Sequence, residues 1–168
     1  MNSPTLQARI DTAMDLAERA GGLAMSMRPP PGSPHGTMKG PQDWVTEADG
    51  EVEFFLSQEL AAAFPADGFQ GEEGGISRGG SLRWLVDPID WTSNFARGAA
   101  RFCVSLACLE GNTPLIGIVV APAAKRSGHG VAVAPGLTVI RSVPPKPPCH
   151  SRRSSRSAGR GGEPTRII

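Results

Sequence analysis

Asp87 and Asp90 stand three residues apart around Pro88 and Ile89, directly after the apolar run Trp84-Leu85-Val86 and just before the hydroxyls of Thr92 and Ser93. A strand can deliver Asp87; Pro88 then fixes φ and turns the chain, and Asp90 returns to the same side with the Ile89 carbonyl exposed. Two carboxylates and a carbonyl form an all-oxygen donor set. Such a set suits magnesium, a hard cation that keeps several of its waters. Thr92 and Ser93 open a short helix through Asn94 and Phe95, and free N–H groups at a helix start bind phosphate oxygens. The purely structural alternative is an Asp-Pro turn that ends a strand.

Further carboxylates come from Gly71-Glu72-Glu73-Gly74-Gly75, upstream of Asp87 and at the expected end of another strand. A solvated acidic turn has the same composition. Asp49 follows Thr46 by three residues, a capping-box spacing. Capping a helix is its default role, and orienting Thr92 is the sharper one. Lys39 lies in a Pro/Gly-rich loop and reads as a surface lysine.

Periodicity predicts the elements that hold these residues. Ser3 and Pro4 suit a helix start, after which Leu6, Ile10, Ala13, Ala17 and Ala20 recur at steps of three and four. Gly21-Gly22 should weaken this helix and Pro29-Pro30-Pro31 end it, with a loop following to about Lys39. A second helix is predicted from Thr46 to the stop at Pro65, burying Val52, Phe55, Leu56, Leu60 and Phe64. The period then changes. A strand is expected over 82–87, ending at Asp87-Pro88 because the residue before proline is held extended. Another runs over Phe102 to Leu109, Gly111-Asn112 turns the chain, and Leu115 to Val120 forms the hairpin partner. Two helices on a mostly antiparallel sheet make an α+β layered domain.

The chain of 168 residues is long enough for one core, and with Trp 3, Phe 6 and Tyr 0 that core must lean on Ala, Leu, Val and Ile. A net charge of +1 hides an asymmetry: residues 124–168 hold one acid, Glu163, against 9 bases. They contain no Phe, Trp or Tyr and are rich in Pro, Ser, Arg and Gly. The expected division is a folded body over 1–123 and a disordered basic tail over 124–168, although Val131 to Val143 also reads as a short strand. Cys103 and Cys108 should face opposite sides of a strand, and with Cys149 they form no C-x-x-C pair, so a reducing cytoplasm fits. The longest apolar stretch, around Pro114 to Ala124, falls far short of the roughly 20 residues of a membrane span.

Gly71-Glu72-Glu73, Trp84-Leu85-Val86-Asp87-Pro88-Ile89-Asp90-x-Thr92-x-Asn94-Phe95 and Phe102-x-Val104-Ser105-Leu106-Ala107 together resemble the inositol monophosphatase family. Asp43-Trp44-Val45-Thr46-Glu47-Ala48-Asp49 resembles the family's stretch at the start of its second helix. The resemblance covers most of residues 1–123. It implies a magnesium-dependent, lithium-sensitive phosphomonoesterase of layered α-β-α-β-α architecture, homodimeric in the intact family. By motif position it implies Glu72, Asp87 and the Ile89 carbonyl as ligands of one metal, and Asp87 and Asp90 as ligands of a second. Glu72 and Thr92, with Asp49 behind Thr92, would activate a water. Backbone N–H groups at Trp91 and Thr92 would hold phosphate oxygens, and Lys39 would add positive charge.

Two departures stand out. The family has glycine where this chain has Trp91, and an indole there would crowd the substrate or shift Thr92. The family's later Trp-Asp-x-Ala-x-Gly motif is missing, since no aspartate follows Asp90. One account of both the missing half and the basic ending is an out-of-frame or otherwise aberrant tail, because Arg, Pro, Gly, Ala and Ser all have GC-rich codons. Three functions compete. The first is hydrolysis of a small phosphorylated metabolite, inositol 1-phosphate or histidinol phosphate. The second is a non-catalytic remnant with weak metal binding. The third is nucleic-acid binding through Arg152, Arg153, Arg156 and Arg160, against which stands the lack of any aromatic residue to stack on bases.

Overall fold

The computed structural model describes residues 5–33, 35–40, 43–132 and 137–143. Helix α1 (Leu6–Met27) is capped by Thr5, whose hydroxyl accepts the Ala8 N–H at 3.1 Å. Ser3 and Pro4, expected at this start, lie outside the described residues. Ile10, Ala13, Leu16, Ala17, Ala20 and Ala24 form its buried face. Gly21-Gly22 does not interrupt the helix, and Gly21 packs tightly against the end of β7 and the residue that follows it. A Cβ there would lie 3.2 Å from the Pro122 Cβ and 3.3 Å from the Val120 Cγ1. Arg28 is extended ahead of Pro29 and ends the helix.

Where a loop was expected up to Lys39, β1 (Thr37–Gly40) pairs antiparallel with β2 (Asp43–Val45). Helix α2 (Glu47–Ala63) starts at the predicted capping box, the Thr46 N–H donating to Asp49 Oδ2 at 2.8 Å. Val52, Leu56, Leu60 and Phe64 are buried from it, with Phe55 partly so. No helix among the described residues is long and apolar enough to cross a membrane.

The main sheet is built from β3 (Gly68–Gly71), β4 (Gly75–Arg78), β5 (Leu82–Asp90), β6 (Cys103–Glu110), β7 (Thr113–Ala121), β8 (Arg126–Ala132) and β9 (Leu137–Val143), with helix α3 (Thr92–Ala96) after β5. Among the described residues its order is β4-β3-β5-β6-β7-β8-β9, and only the β3–β5 pair is parallel. The predicted α+β layering therefore holds, with α1 on β6 and β7 and α2 on β5. The expected disorder from residue 124 is corrected for two segments: β8 and β9 continue the ladder from β7. Val131, Thr138, Val139 and Ile140 are good strand formers, and pairing satisfies backbone groups that β7 would otherwise leave at a bare edge. Residues 144–168 lie outside the described part.

One buried polar cluster ties α1 to the sheet. Arg9 pairs with Asp67 at 2.9 Å, Trp84 Nε1 donates to Asp67 Oδ2 at 3.0 Å, and Phe64 stacks on Trp84 at 5.8 Å. Removing either partner of such an ion pair strands a buried charge and costs about 3–5 kcal/mol.

Candidate active site

Strands β3 and β5 run parallel with Gly71 opposite Val86. The next residues, Glu72 and Asp87, therefore leave the two strands side by side. The Glu72 N–H donates to the Val86 carbonyl at 3.1 Å, and the Glu72 carboxyl lies near enough to Asp87 to disfavour its charge. The Gly-rich acidic turn does sit at a strand end, as its sequence suggested.

Asp90 reaches the same side through a β-bulge. In the β5–β6 ladder Asp87 faces Ser105 and Asp90 faces Cys103, so Pro88 and Ile89 together oppose one residue, Val104. Side chains alternate along a regular strand, which would send residues three apart to opposite faces. The extra residue in the bulge reverses that parity. Proline has no N–H to give the ladder, which locates the disruption at Pro88. The strand thus does not end at Asp87, as the Asp-Pro pair suggested; it runs through the bulge to Asp90.

Burial first, then the Glu72 carboxylate, then Asp90, push the Asp87 carboxyl up to about 7. Asp87 Oδ1 is buried with no hydrogen-bond partner. An orphaned carboxylate oxygen crowded by like charges fits a cation with a preference for oxygen. Among the described residues no three His, Cys, Asp or Glu side chains close on a single cation position. The carboxylates are neighbours rather than a finished cage. Asp90 Oδ2 also accepts from Cys103 Sγ at 3.4 Å, and burial together with Asp90 pushes that thiol up to about 12.

Thr92 Oγ1 lies 2.8 Å from the Ile89 carbonyl and 3.2 Å from Asp49 Oδ1. Its single hydrogen is thus drawn toward protein acceptors, leaving its lone pairs for an outside donor. Asp49 is buried, which raises its pKa against the opposing pull of its hydrogen bonds from Thr46 and Thr92. Asp49 thus caps α2 and touches Thr92 at once. Trp91 precedes α3 in the left-handed region, at φ 70 and ψ 46, with 63% of its surface exposed. Lys39 lies on β1, and its side chain is outside the described part. A cavity of about 440 Å³ opens beside Glu72 and Asp87, lined also by Gln70, Leu85, Ser105 and Ala107. A larger one, about 700 Å³, is lined by Arg28, His35 and Glu47 and includes none of the clustered carboxylates.

The sequence profile of the inositol monophosphatase family matches residues 5–158. The chain belongs to the inositol monophosphatase family. That match runs past residue 123, where the resemblance in sequence was expected to stop. Among relatives of this family, an inositol-1-monophosphatase from Rhizobium meliloti is 44% identical over 86 residues, covering 50% of this chain and 32% of the relative. A histidinol-phosphatase from Mycobacterium tuberculosis is 45% identical over 83 residues, covering 49% and 32%. The extragenic suppressor protein suhB from Bartonella henselae superposes with a TM-score of 0.70 at 28% identity, covering 78% of this chain and 51% of that one. An IMPase from Thermotoga maritima gives a TM-score of 0.66 at 32% identity, covering 73% and 48%. The chain therefore spans about a third of those curated relatives (32%) and about half of those solved chains (51% and 48%).

Sequence reasoning missed one buried carboxylate beside this candidate site. Glu53 is buried on α2, and its carboxylate accepts the N–H groups of Glu73 at 2.9 Å and Gly74 at 2.8 Å. The signal was there: Asp49, Glu53, Leu56 and Leu60 follow one another at helical steps, so Glu53 interrupts a stripe that should be apolar.

Proposed function

We propose that this chain hydrolyses a small phosphate monoester with magnesium, inositol 1-phosphate being the first candidate. The observation that carries the reading is the Glu72–Asp87 pair, with its orphaned Oδ1, next to the Asp49–Thr92 contact. Glu72, Asp87, the Ile89 carbonyl and Asp90 would hold the metal, which supplies positive charge to phosphate oxygens and makes a bound water more acidic. Thr92, its hydrogen engaged by Ile89 and Asp49, orients the attacking water through a lone pair. Glu72 accepts that water's proton. Backbone N–H groups of Trp91 and Thr92 face the phosphate, and Lys39 adds positive charge. The proposed setting is the reducing cytoplasm, as a homodimer.

Histidinol phosphate is the second candidate, because relatives named for the two activities are equally similar at 44% and 45% identity. Binding of metal without turnover is the reading that Trp91 favours, since a bulky indole stands where phosphate should approach backbone.

Phosphate release from both esters, with magnesium or with EDTA, tests the proposal. Release should need magnesium, vanish in Asp87→Asn, and fall by about 100-fold or more in Thr92→Ala. Release that persists in EDTA, or in Asp87→Asn, would refute the site. Magnesium binding without release would leave the non-catalytic reading standing.

A further inference from the structure

Helix α2 carries two buried carboxylates one turn apart, and each grips a different part of the site. Asp49 meets Thr92 after β5; Glu53 meets the turn between β3 and β4 that bears Glu72. The Glu53 carboxylate takes two charge-assisted hydrogen bonds from consecutive backbone amides, at 2.9 Å and 2.8 Å, while 8% exposed. The turn is shaped around it. A Cβ on Gly71 would come 2.2 Å from the Glu53 Cδ, and one on Gly74 would come 2.8 Å from Oε1. Glycine at these two positions is what lets the carboxylate lie against the backbone.

Glu72 itself has one backbone tether toward β5, its N–H to the Val86 carbonyl at 3.1 Å. Without Glu53 the amides of Glu73 and Gly74 lose that acceptor, and the turn keeps its hairpin pairing at Gly71–Gly75 but no longer this hold on its middle. We propose that Glu53 is a positioning residue: it holds the β3–β4 turn so that the Glu72 carboxyl stays against Asp87. The inference deepens the magnesium reading and rests on it. Glu53 touches neither the metal nor the substrate; it acts through the backbone on either side of Glu73.

Two measurements on the full chain test this. Magnesium chloride is titrated calorimetrically into the wild type, Glu53→Gln, Glu53→Ala and, as the control for the site itself, Asp87→Asn. In the same proteins, hydrogen exchange is read at the Glu72 amide. Glu53→Ala should weaken magnesium affinity by about tenfold or more and lower the protection of the Glu72 amide by a similar factor. Glu53→Gln, which keeps the shape and one acceptor oxygen, should show a smaller loss in both. It also carries the test if the alanine variant does not fold. Gly71→Ala, which displaces the carboxylate, should reproduce the Glu53→Ala loss and add little to it in the double variant. Unchanged affinity in a folded Glu53→Ala, or unchanged Glu72 exchange in Glu53→Gln and Gly71→Ala, would overturn the positioning role. Wild type that does not bind magnesium, or Asp87→Asn that binds it normally, would instead overturn the metal reading. In that case the exchange data alone decide whether Glu53 holds Glu72.

Discussion

Strands β5, β6 and β7 show one face to α1 and α2 and the other to the site. The helix-side residues Trp84, Val86, Val104, Leu106, Ile116 and Ile118 are buried to within 1% of full burial. One step along each strand, the opposite face carries Leu85, Asp87, Cys103, Ser105 and Val119, with Leu85 and Val119 exposed at 41% and 47%. The same backbone thus separates two jobs by its period of two. One face gathers the apolar area that stabilises the fold. The other keeps crowded carboxylates whose repulsion works against it. The proposed metal and phosphate site needs charge held in a rigid place, and the packed face provides the rigidity.

The sharpest way to break this contrast is to treat the two faces alike. Trp84→Ala should cost about 3–5 kcal/mol, since it removes the ring stacked on Phe64 and the N–H bonded to Asp67. Leu85→Ala, the next residue, should stay within about 0.5 kcal/mol. Urea unfolding followed by far-ultraviolet circular dichroism measures both, and equal costs would erase the distinction.

A second substitution should have the opposite sign. Asp87→Asn, in EDTA, should raise stability by on the order of 1 kcal/mol at pH 8, a figure discounted because the group is only half-buried. The folded-state pKa of Asp87 is raised from 3.8 to about 7. The penalty for its charge is therefore full above about pH 7, shrinks as pH falls, and is gone below the unfolded value. Melting curves at pH 4 and pH 8 read the difference. A stabilisation that grows toward pH 4 would contradict the crowding.

The third effect concerns Trp91. Its left-handed backbone costs a residue with a Cβ about 1 kcal/mol, so Trp91→Gly should stabilise by that amount and raise any turnover. A gain in stability with no change in phosphate release would confine the effect of Trp91 to the backbone.

Much of this was legible from local rules. The Thr46-Asp49 box, the Gly111-Asn112 hairpin and the alternation of Phe102 to Leu109 are written in short-range sequence, and local hydrogen bonding or pleating enforces them. The Asp87–Asp90 pair was legible as chemistry, yet its geometry was misjudged. Asp-Pro signals a strand end when only one strand is considered, whereas the partner strand β6 lets pairing resume after a bulge. Gly21-Gly22 misled for a similar reason, because its cost within a helix is offset by an approach to Pro122 that no neighbouring residue reveals. Strands β8 and β9 lay in a segment whose Pro, Ser and Arg content argued for disorder, while β8 pairs with the open edge of β7 and β9 with β8. Glu53 was hidden because acids on a helix usually face water.

The bulge at Pro88-Ile89 also sets what this stretch of polypeptide can tolerate over generations. Exchanging either residue for another of similar bulk leaves the number of links between the two aspartates intact. Losing or gaining one link flips one aspartate through the sheet, into the oily interior. Length here is therefore guarded more strictly than spelling, and a single-codon deletion should do more harm than most replacements nearby.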